Sequence, residues 1–167
     1  MSDTANDLGT LARASGQLKG TLTRDWSHNQ ETVWNMLTDA ARFPQWLAPG
    51  TIELKQGGAL KLKFPGSNTI IDSTLSAFDA PRLIEYSFSG PGEPRRPVRW
   101  ELQSQRTGVR ITLNVTVPDN EDIARTCAGW EAHLAMLAAA LDGAPIPFPF
   151  ERFKAAREAY KAKAASV

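Results

Sequence analysis

Between Asp122 and Leu141 the apolar positions recur alternately four and three apart, at Ile123, Cys127, Trp130, Leu134, Leu137 and Leu141. At 3.6 residues per turn, this spacing draws one continuous stripe along a long helix. Upstream the period changes to two. Leu60, Leu62 and Phe64 alternate with Lys61 and Lys63, and Ile84, Tyr86 and Phe88 with Glu85 and Ser87. Val98, Trp100 and Leu102 alternate with Arg99, Glu101 and Gln103, and Val109, Ile111, Leu113, Val115 and Val117 make the most regular run. Such alternation marks half-buried strands whose apolar faces need a cover. A shorter strand is expected at Ile52 and Leu54 and a longer one over 69–78. Turns fall at Gln56-Gly57-Gly58, Pro65 to Asn68, Asp79-Ala80-Pro81, Ser89 to Pro94 and Thr107-Gly108. The pattern predicts an α+β domain, a curved antiparallel sheet wrapped on a long C-terminal helix. Whatever fails to fill the space between them is a pocket.

Residues 1–17 are small and polar and predict a loose arm. Leu18 to Trp26 alternates without a strongly apolar face, which predicts a strand near a sheet edge. Ser27 and Asn29 both suit the N-cap of a helix through ETVWNMLTDA that buries Val33, Trp34 and Leu37. A second short helical piece is expected over 40–47, breaking at Pro44 or at Pro49-Gly50. Pro118-Asp119-Asn120 is expected to end the sheet and cap the long helix, and Gly143 and Pro145 to stop it. The chain thus divides into an arm (1–17), a domain (18–143) and a tail (144–167). The tail is an extended proline-rich stretch and a short helix carrying Phe153 and Tyr160. Its aromatic residues are too apolar to float free. They dock on their own domain, plug a pocket mouth or pack on a second copy in a homodimer.

Composition narrows the function classes. Hydrophobic residues make 42% and charged residues 22%, as in ordinary globular domains. A net charge of +1 with interspersed signs offers no electrostatic footprint for nucleic acid or membrane. The single cysteine excludes an internal disulfide. The N-terminus lacks the basic and apolar regions of a signal peptide, no apolar run reaches membrane-spanning length, and a cytoplasmic setting is expected.

The order strand, two short helices, antiparallel strands, long helix resembles the helix-grip fold of the START-like superfamily, often labelled SRPBCC. More narrowly, the chain resembles the activator-of-heat-shock-chaperone-ATPase homologues. The matching residues are Val33-Trp34, Leu37-Thr38-Asp39, Trp46, Gly57-Gly58 and Asp79, followed by Pro81-Arg82-Leu83-Ile84 and Tyr86. They continue with Thr107-Gly108, Arg110-Ile111-Thr112-Leu113, Gly129-Trp130, Leu134, Leu137, Leu141 and Gly143. Their order and spacing, rather than any single piece, carry the likeness. Where the family has a glycine, a valine and a glutamate in its fourth strand, this chain has Ser73, Leu75 and Ala77. If that glutamate contributes a polar group to a family pocket, this chain lacks it.

Catalytic candidates are few. Cys127 and His133 lie six apart on one helix, roughly 120° around it, and cannot form a nucleophile–base pair. Cys127 falls on the buried stripe and reads as core; His133 sits beside it, and His28 reads as solvated. No histidine–carboxylate cluster has metal-ligand spacing, and no cofactor is implied. Gly57-Gly58 lacks a following Lys-Ser/Thr and is a hairpin turn, not a phosphate loop. Asp72, Thr74 and Ser76 share one strand face, read as outward because Ile71, Leu75 and Ala77 are the apolar set. Arg82, Arg95, Arg96 and Arg99 read as a solvated strand edge. The aromatic residues carry more weight, because an aromatic-lined concavity suits flat or greasy molecules. The candidate ligand-binding residues are Trp46, Phe64, Tyr86, Phe88, Trp100, Leu113, Trp130, His133 and Leu134, with the Tyr86 hydroxyl orienting the ligand.

The leading expectation is non-catalytic binding of a small hydrophobic or aromatic molecule. The resemblance implies two alternatives, a chaperone-directed interaction module linked to stress and a polyketide-cyclase-like enzyme. For the second, Asp72 and His133 are the ionisable candidates. The fold hosts lipid carriers, cyclases and co-chaperones alike, so the site must decide.

Overall fold

The computed structural model describes residues 8–167, so residues 1–7 of the expected arm lie outside the described residues. The chain runs through β1 (Thr10–Ala14), β2 (Gln17–Trp26), α1 (Gln30–Thr38) and a 3-10 turn over Ala40–Gln45. Next come β3 (Gly50–Ile52), β4 (Ala59–Lys63), β5 (Ile70–Asp79), β6 (Leu83–Ser87), β7 (Pro97–Gln105) and β8 (Gly108–Pro118). Two helices close the chain, α2 (Ile123–Leu141) and α3 (Phe150–Ala164). The eight strands form one sheet, antiparallel throughout, in the order β1-β2-β8-β7-β6-β5-β4-β3. This is the expected helix-grip fold.

Three expectations need correcting. Thr10–Ala14 is not a loose arm but the edge strand β1, laddered to β2 from Thr10↔Thr21 to Ala14↔Gln17. β2 is therefore an interior strand. Most β1 side chains are exposed, so backbone hydrogen bonds hold a segment in which hydropathy shows nothing. Its hairpin turns at Ser15-Gly16 with φ of 53° and 78°, the left-handed pair that matches strand twist. The second correction concerns Leu54, which lies beyond β3 and is 47% exposed. The chain leaves the ladder at Glu53 for a turn closed by the Gly58 N–H on the Lys55 carbonyl. Third, the cap of α2 is Asp122 rather than residues 118–120. Its carboxylate accepts the Arg125 N–H at 3.1 Å, while Asn29 caps α1 on Thr32 at 2.8 Å.

α2 lies across the concave face of the sheet. Its stripe from Ile123 to Leu137 is buried against Leu18 and Leu22 of β2, Trp100 and Leu102 of β7, and the inward residues of β8. Close approach is possible because Gly20 has no side chain; a Cβ there would overlap the Cys127 Sγ. α1 closes one end through Val33, Trp34 and Leu37. A register shift between Leu75 and Ala77 breaks the alternation of β5, and Phe78 packs on Trp34 at a ring separation of 5.9 Å. Asp72 and Thr74 are exposed, as their face predicts.

The tail docks on its own domain. α3 packs along α2 and buries Ala156 and Tyr160. The Tyr160 hydroxyl donates to Glu131 Oε2 at 2.6 Å and accepts the Gly9 N–H at 2.8 Å. The other Glu131 oxygen meets Arg24, with Arg152 at 3.9 Å. One buried carboxylate thus ties β2, α2, α3 and the start of the described chain together. No described helix is long and apolar enough to cross a membrane.

Candidate functional site

The space under the middle of α2 is filled. Trp46 is fully buried, with its indole N–H donating to the Met36 carbonyl at 2.8 Å and its ring edge-on to Trp100 at 5.8 Å. Trp100 in turn donates to the Tyr86 hydroxyl at 3.0 Å. Burial pushes the Tyr86 phenol well above its ordinary pKa, and its oxygen is committed to the indole rather than to a ligand. Leu113 and Leu134 are buried in the same cluster. Trp46, Tyr86, Trp100, Leu113 and Leu134 are therefore core in this structure and are not part of the lining of the cleft described next.

The opening lies toward the N-terminal half of α2, as a cleft of about 680 Å³. Four of the candidate residues meet there: Phe64, Phe88, Trp130 and His133. Phe64 follows β4, held by its N–H on the Thr69 carbonyl at 3.0 Å, and Phe88 follows β6, held on the Arg96 carbonyl at 2.8 Å. Thr126, Gly129, Trp130 and His133 share one face of α2, being three or four apart. The rings interlock edge to face: Phe88 to Trp130 at 5.1 Å, Phe64 to Phe88 at 5.9 Å and Phe64 to His133 at 6.1 Å. Trp130 also touches Trp100 at 5.8 Å, so the cleft wall continues into the core.

The far wall comes from the tail. Gly143, at a φ of 79°, ends α2 and turns the chain back. The strap that follows brings Phe148 to 5.6 Å from His133, and Phe150 and Phe153 complete the lining. Phe148, Phe150, Phe153, Gly129 and Arg125 were not among the expected ligand-binding residues. A proline-rich strap shows where the chain is extended, but not which wall it reaches. Gly129 did leave a signal. A glycine inside a helix costs about 1 kcal/mol relative to alanine, and here a Cβ would meet nothing within 4 Å. The missing side chain leaves open floor in the cleft.

His133 places its Nδ1 2.8 Å from the Trp46 carbonyl oxygen. A carbonyl only accepts, so Nδ1 carries the proton and Nε2 has the lone pair. Burial lowers the pKa of the ring, outweighing the hydrogen bond to Trp46 that raises it, and this favours the neutral form. Around the mouth, Glu121 takes a two-pronged contact from Arg96 at 2.8 and 3.0 Å. Asp122 is held well below the usual carboxylate range, first by the Arg125 N–H and also by Arg157 at 3.2 Å. Arg95 and Arg99 contact Glu85 on the sheet surface, and Arg82 pairs with Asp79. Among the described residues, no group of three His, Cys, Asp or Glu side chains converges as metal ligands.

Cys127 lies beneath this site without entering it. It is fully buried, and burial, with Glu131 one turn away adding repulsion, pushes its thiol up to about 12. A maleimide is expected to label it only as fast as the domain opens. Labelling of the native protein at the rate of a free thiol would contradict that placement.

The family model described as activator of Hsp90 ATPase homolog 1-like protein matches residues 27–142, well over half of the chain. The chain belongs to this family. The matched region holds Phe64, Phe88, Gly129, Trp130 and His133 and stops before the strap and α3. No curated protein matches the sequence. Among solved structures, the fold is similar to that of CalU16 from Micromonospora echinospora, with a TM-score of 0.76 and 20% identity over 93% of this chain and 97% of that one. It is also similar to a conserved protein of unknown function, EF2215, from Enterococcus faecalis, with a TM-score of 0.73 and 18% identity over 93% and 91% of the two chains. A third, DynU16, described as a protein of the dynemicin biosynthetic locus, has a TM-score of 0.67 at 22% identity. That match covers 79% of this chain and 49% of DynU16. Identities this low establish a shared fold and leave function to the site.

Proposed function

We propose that this family member binds a small, predominantly aromatic or hydrophobic molecule in the cleft between α2, the Phe64 and Phe88 loops and the strap, without transforming it. The observation that supports this best is the open, ring-lined cleft with Gly129 as its bare floor. A volume of about 680 Å³ lies within the range that small-molecule sites occupy. The driving force is burial of apolar ligand surface, worth about 25 cal/mol per Å² before ordering costs. Non-catalytic binding is favoured because His133 is the one histidine in the cleft and the carboxylates at its mouth, Glu121 and Asp122, are engaged by arginines.

Gly129→Leu tests this reading. The substitution puts a side chain into the cleft and favours the helix by up to about 0.8 kcal/mol. The variant is expected to unfold at or above the wild-type midpoint and to lose ligand binding. Binding is read by native mass spectrometry with extraction of any bound molecule, and by tryptophan fluorescence against a panel of apolar and aromatic compounds. If Gly129→Leu retains the wild-type affinities, the cleft is not the site. If neither protein binds any member of the panel, the proposed function fails and a protein partner becomes the reading to test.

A further inference from the structure

The cleft wall is largely apolar, with the hydroxyl residues Ser67, Thr69 and Thr126 among its lining, and its ionisable groups sit at two ends. At one end is His133. Its Nδ1 is engaged by the Trp46 carbonyl, while Nε2 has no hydrogen-bond partner among the described residues and is not sealed from the cleft. That nitrogen can accept a hydrogen bond from a bound molecule. At the other end, three charged residues line the mouth: Glu121, Asp122 and Arg125. The two carboxylates are matched, Glu121 by Arg96 and Asp122 by Arg157. The Arg125 guanidinium has no hydrogen-bond or ion-pair partner among the described residues. Arg96 is shared between Glu121 and Glu93, so the mouth is not net positive, but Arg125 is the one charged group lining it that no other described side chain engages.

Arg125 and His133 are eight positions apart on α2, which puts them about 12 Å apart along the axis at 1.5 Å per residue. Between them lie Thr126, Gly129 and Trp130, a floor with no charged group. Resting on the binding function proposed above, we propose that the ligand is an aromatic acid. Its fused-ring frame would lie along Gly129 and Trp130, with a carboxylate at Arg125 and an O–H or N–H donor at the far end for His133 Nε2. The ring edges of Phe64, Phe88 and Phe148 suit aromatic faces. A fatty acid would satisfy Arg125 but bring no donor to His133.

Isothermal titration with 6-hydroxy-2-naphthoic acid tests this, since that compound carries both groups at opposite ends of a two-ring frame. The comparisons are 6-methoxy-2-naphthoic acid, which lacks the donor, 6-hydroxy-2-naphthamide, which lacks the charge, and decanoate. Each is titrated into wild type, Arg125→Gln and His133→Asn. Asn keeps an N–H for the Trp46 carbonyl and removes the second nitrogen, and Arg125 is exposed, so the fold does not depend on it. The hydroxy acid should bind wild type about 10-fold more tightly than the amide, the scale of one charge-assisted hydrogen bond, and roughly 3- to 10-fold more tightly than the methoxy acid, the scale of one neutral hydrogen bond. Arg125→Gln should erase the preference for acid over amide and keep that for hydroxyl over methoxy; His133→Asn should do the reverse. Equal binding of acid and amide, or an acid preference that survives Arg125→Gln, overturns the inference while apolar binding stands. Decanoate binding as tightly as the hydroxy acid overturns the aromatic class. If none of the compounds titrates, the inference falls, and the fluorescence and mass-spectrometry panel decides separately whether the binding function falls with it. Should His133→Asn not fold, the Arg125→Gln arm still decides the charge.

Discussion

Replacing Glu131 by alanine is expected to destabilise the protein by about 3–5 kcal/mol, the cost of leaving buried partners of a removed charge uncompensated. Glu131 is 3% exposed, and its two oxygens serve Arg24 on β2 and the Tyr160 hydroxyl on α3, with Arg152 nearby. Burial, followed by the neighbouring negative charge, pushes the Tyr160 phenol far up, so it stays protonated and donates. Glu131→Gln keeps an acceptor for Tyr160 but withdraws the charge from the arginines, and its loss should be smaller than that of alanine. Tyr160→Phe removes one hydroxyl with its hydrogen bonds to Glu131 and Gly9. Because these side chains share one network, the cost of Glu131→Ala with Tyr160→Phe should fall short of the sum of the single losses. Urea denaturation followed by far-UV circular dichroism gives these quantities. A Glu131→Ala loss below about 1 kcal/mol would show that the tail is held by apolar packing alone.

Trp100→Ala is expected to cost a similar amount, about 3–5 kcal/mol for truncating a buried aromatic residue. Trp100 is 1% exposed, wedged between Trp46 and Trp130 at 5.8 Å from each, and is the donor to the buried Tyr86 hydroxyl. The substitution opens a cavity and strands that hydroxyl, adding to the loss. Against a typical stability of about 5–15 kcal/mol, such a variant is close to unfolding at physiological temperature. Any fall in ligand retention by Trp100→Ala should therefore track its unfolded fraction. Gly129→Leu should lose binding with its stability intact. The contrast separates core from site. A Trp100→Ala protein as stable as wild type would mean that this region is not close-packed, and the expectation that Trp100 touches ligand would return.

The fold was largely legible because periodicity reports burial, and burial is what the sheet and α2 share. The stripe from Ile123 to Leu141 and the alternation of β7 and β8 each have one solution that hides their apolar faces. β1 was not legible, since its exposed side chains leave only backbone pairing to place it. The site divided along the same line. Phe64, Phe88, Trp130 and His133 stand in the cleft, while Trp46, Tyr86, Trp100, Leu113 and Leu134 fill the core. All nine occupy inward-facing or boundary positions, and periodicity does not distinguish a ring touching another ring from a ring facing open space.

By itself, then, the sequence determined the fold class, the helix that the sheet grips, the main turns and the aromatic stock from which a site could be built. Only the tertiary structure decided where the packing stops. That boundary depends on side chains far apart in sequence filling one volume: Trp46 against Trp100, Phe148 against His133, and Glu131 reaching both Arg24 and Tyr160. Local pattern sets which face of an element is apolar. Whether that face meets a neighbour or a cleft depends on the summed shapes of all the elements around it.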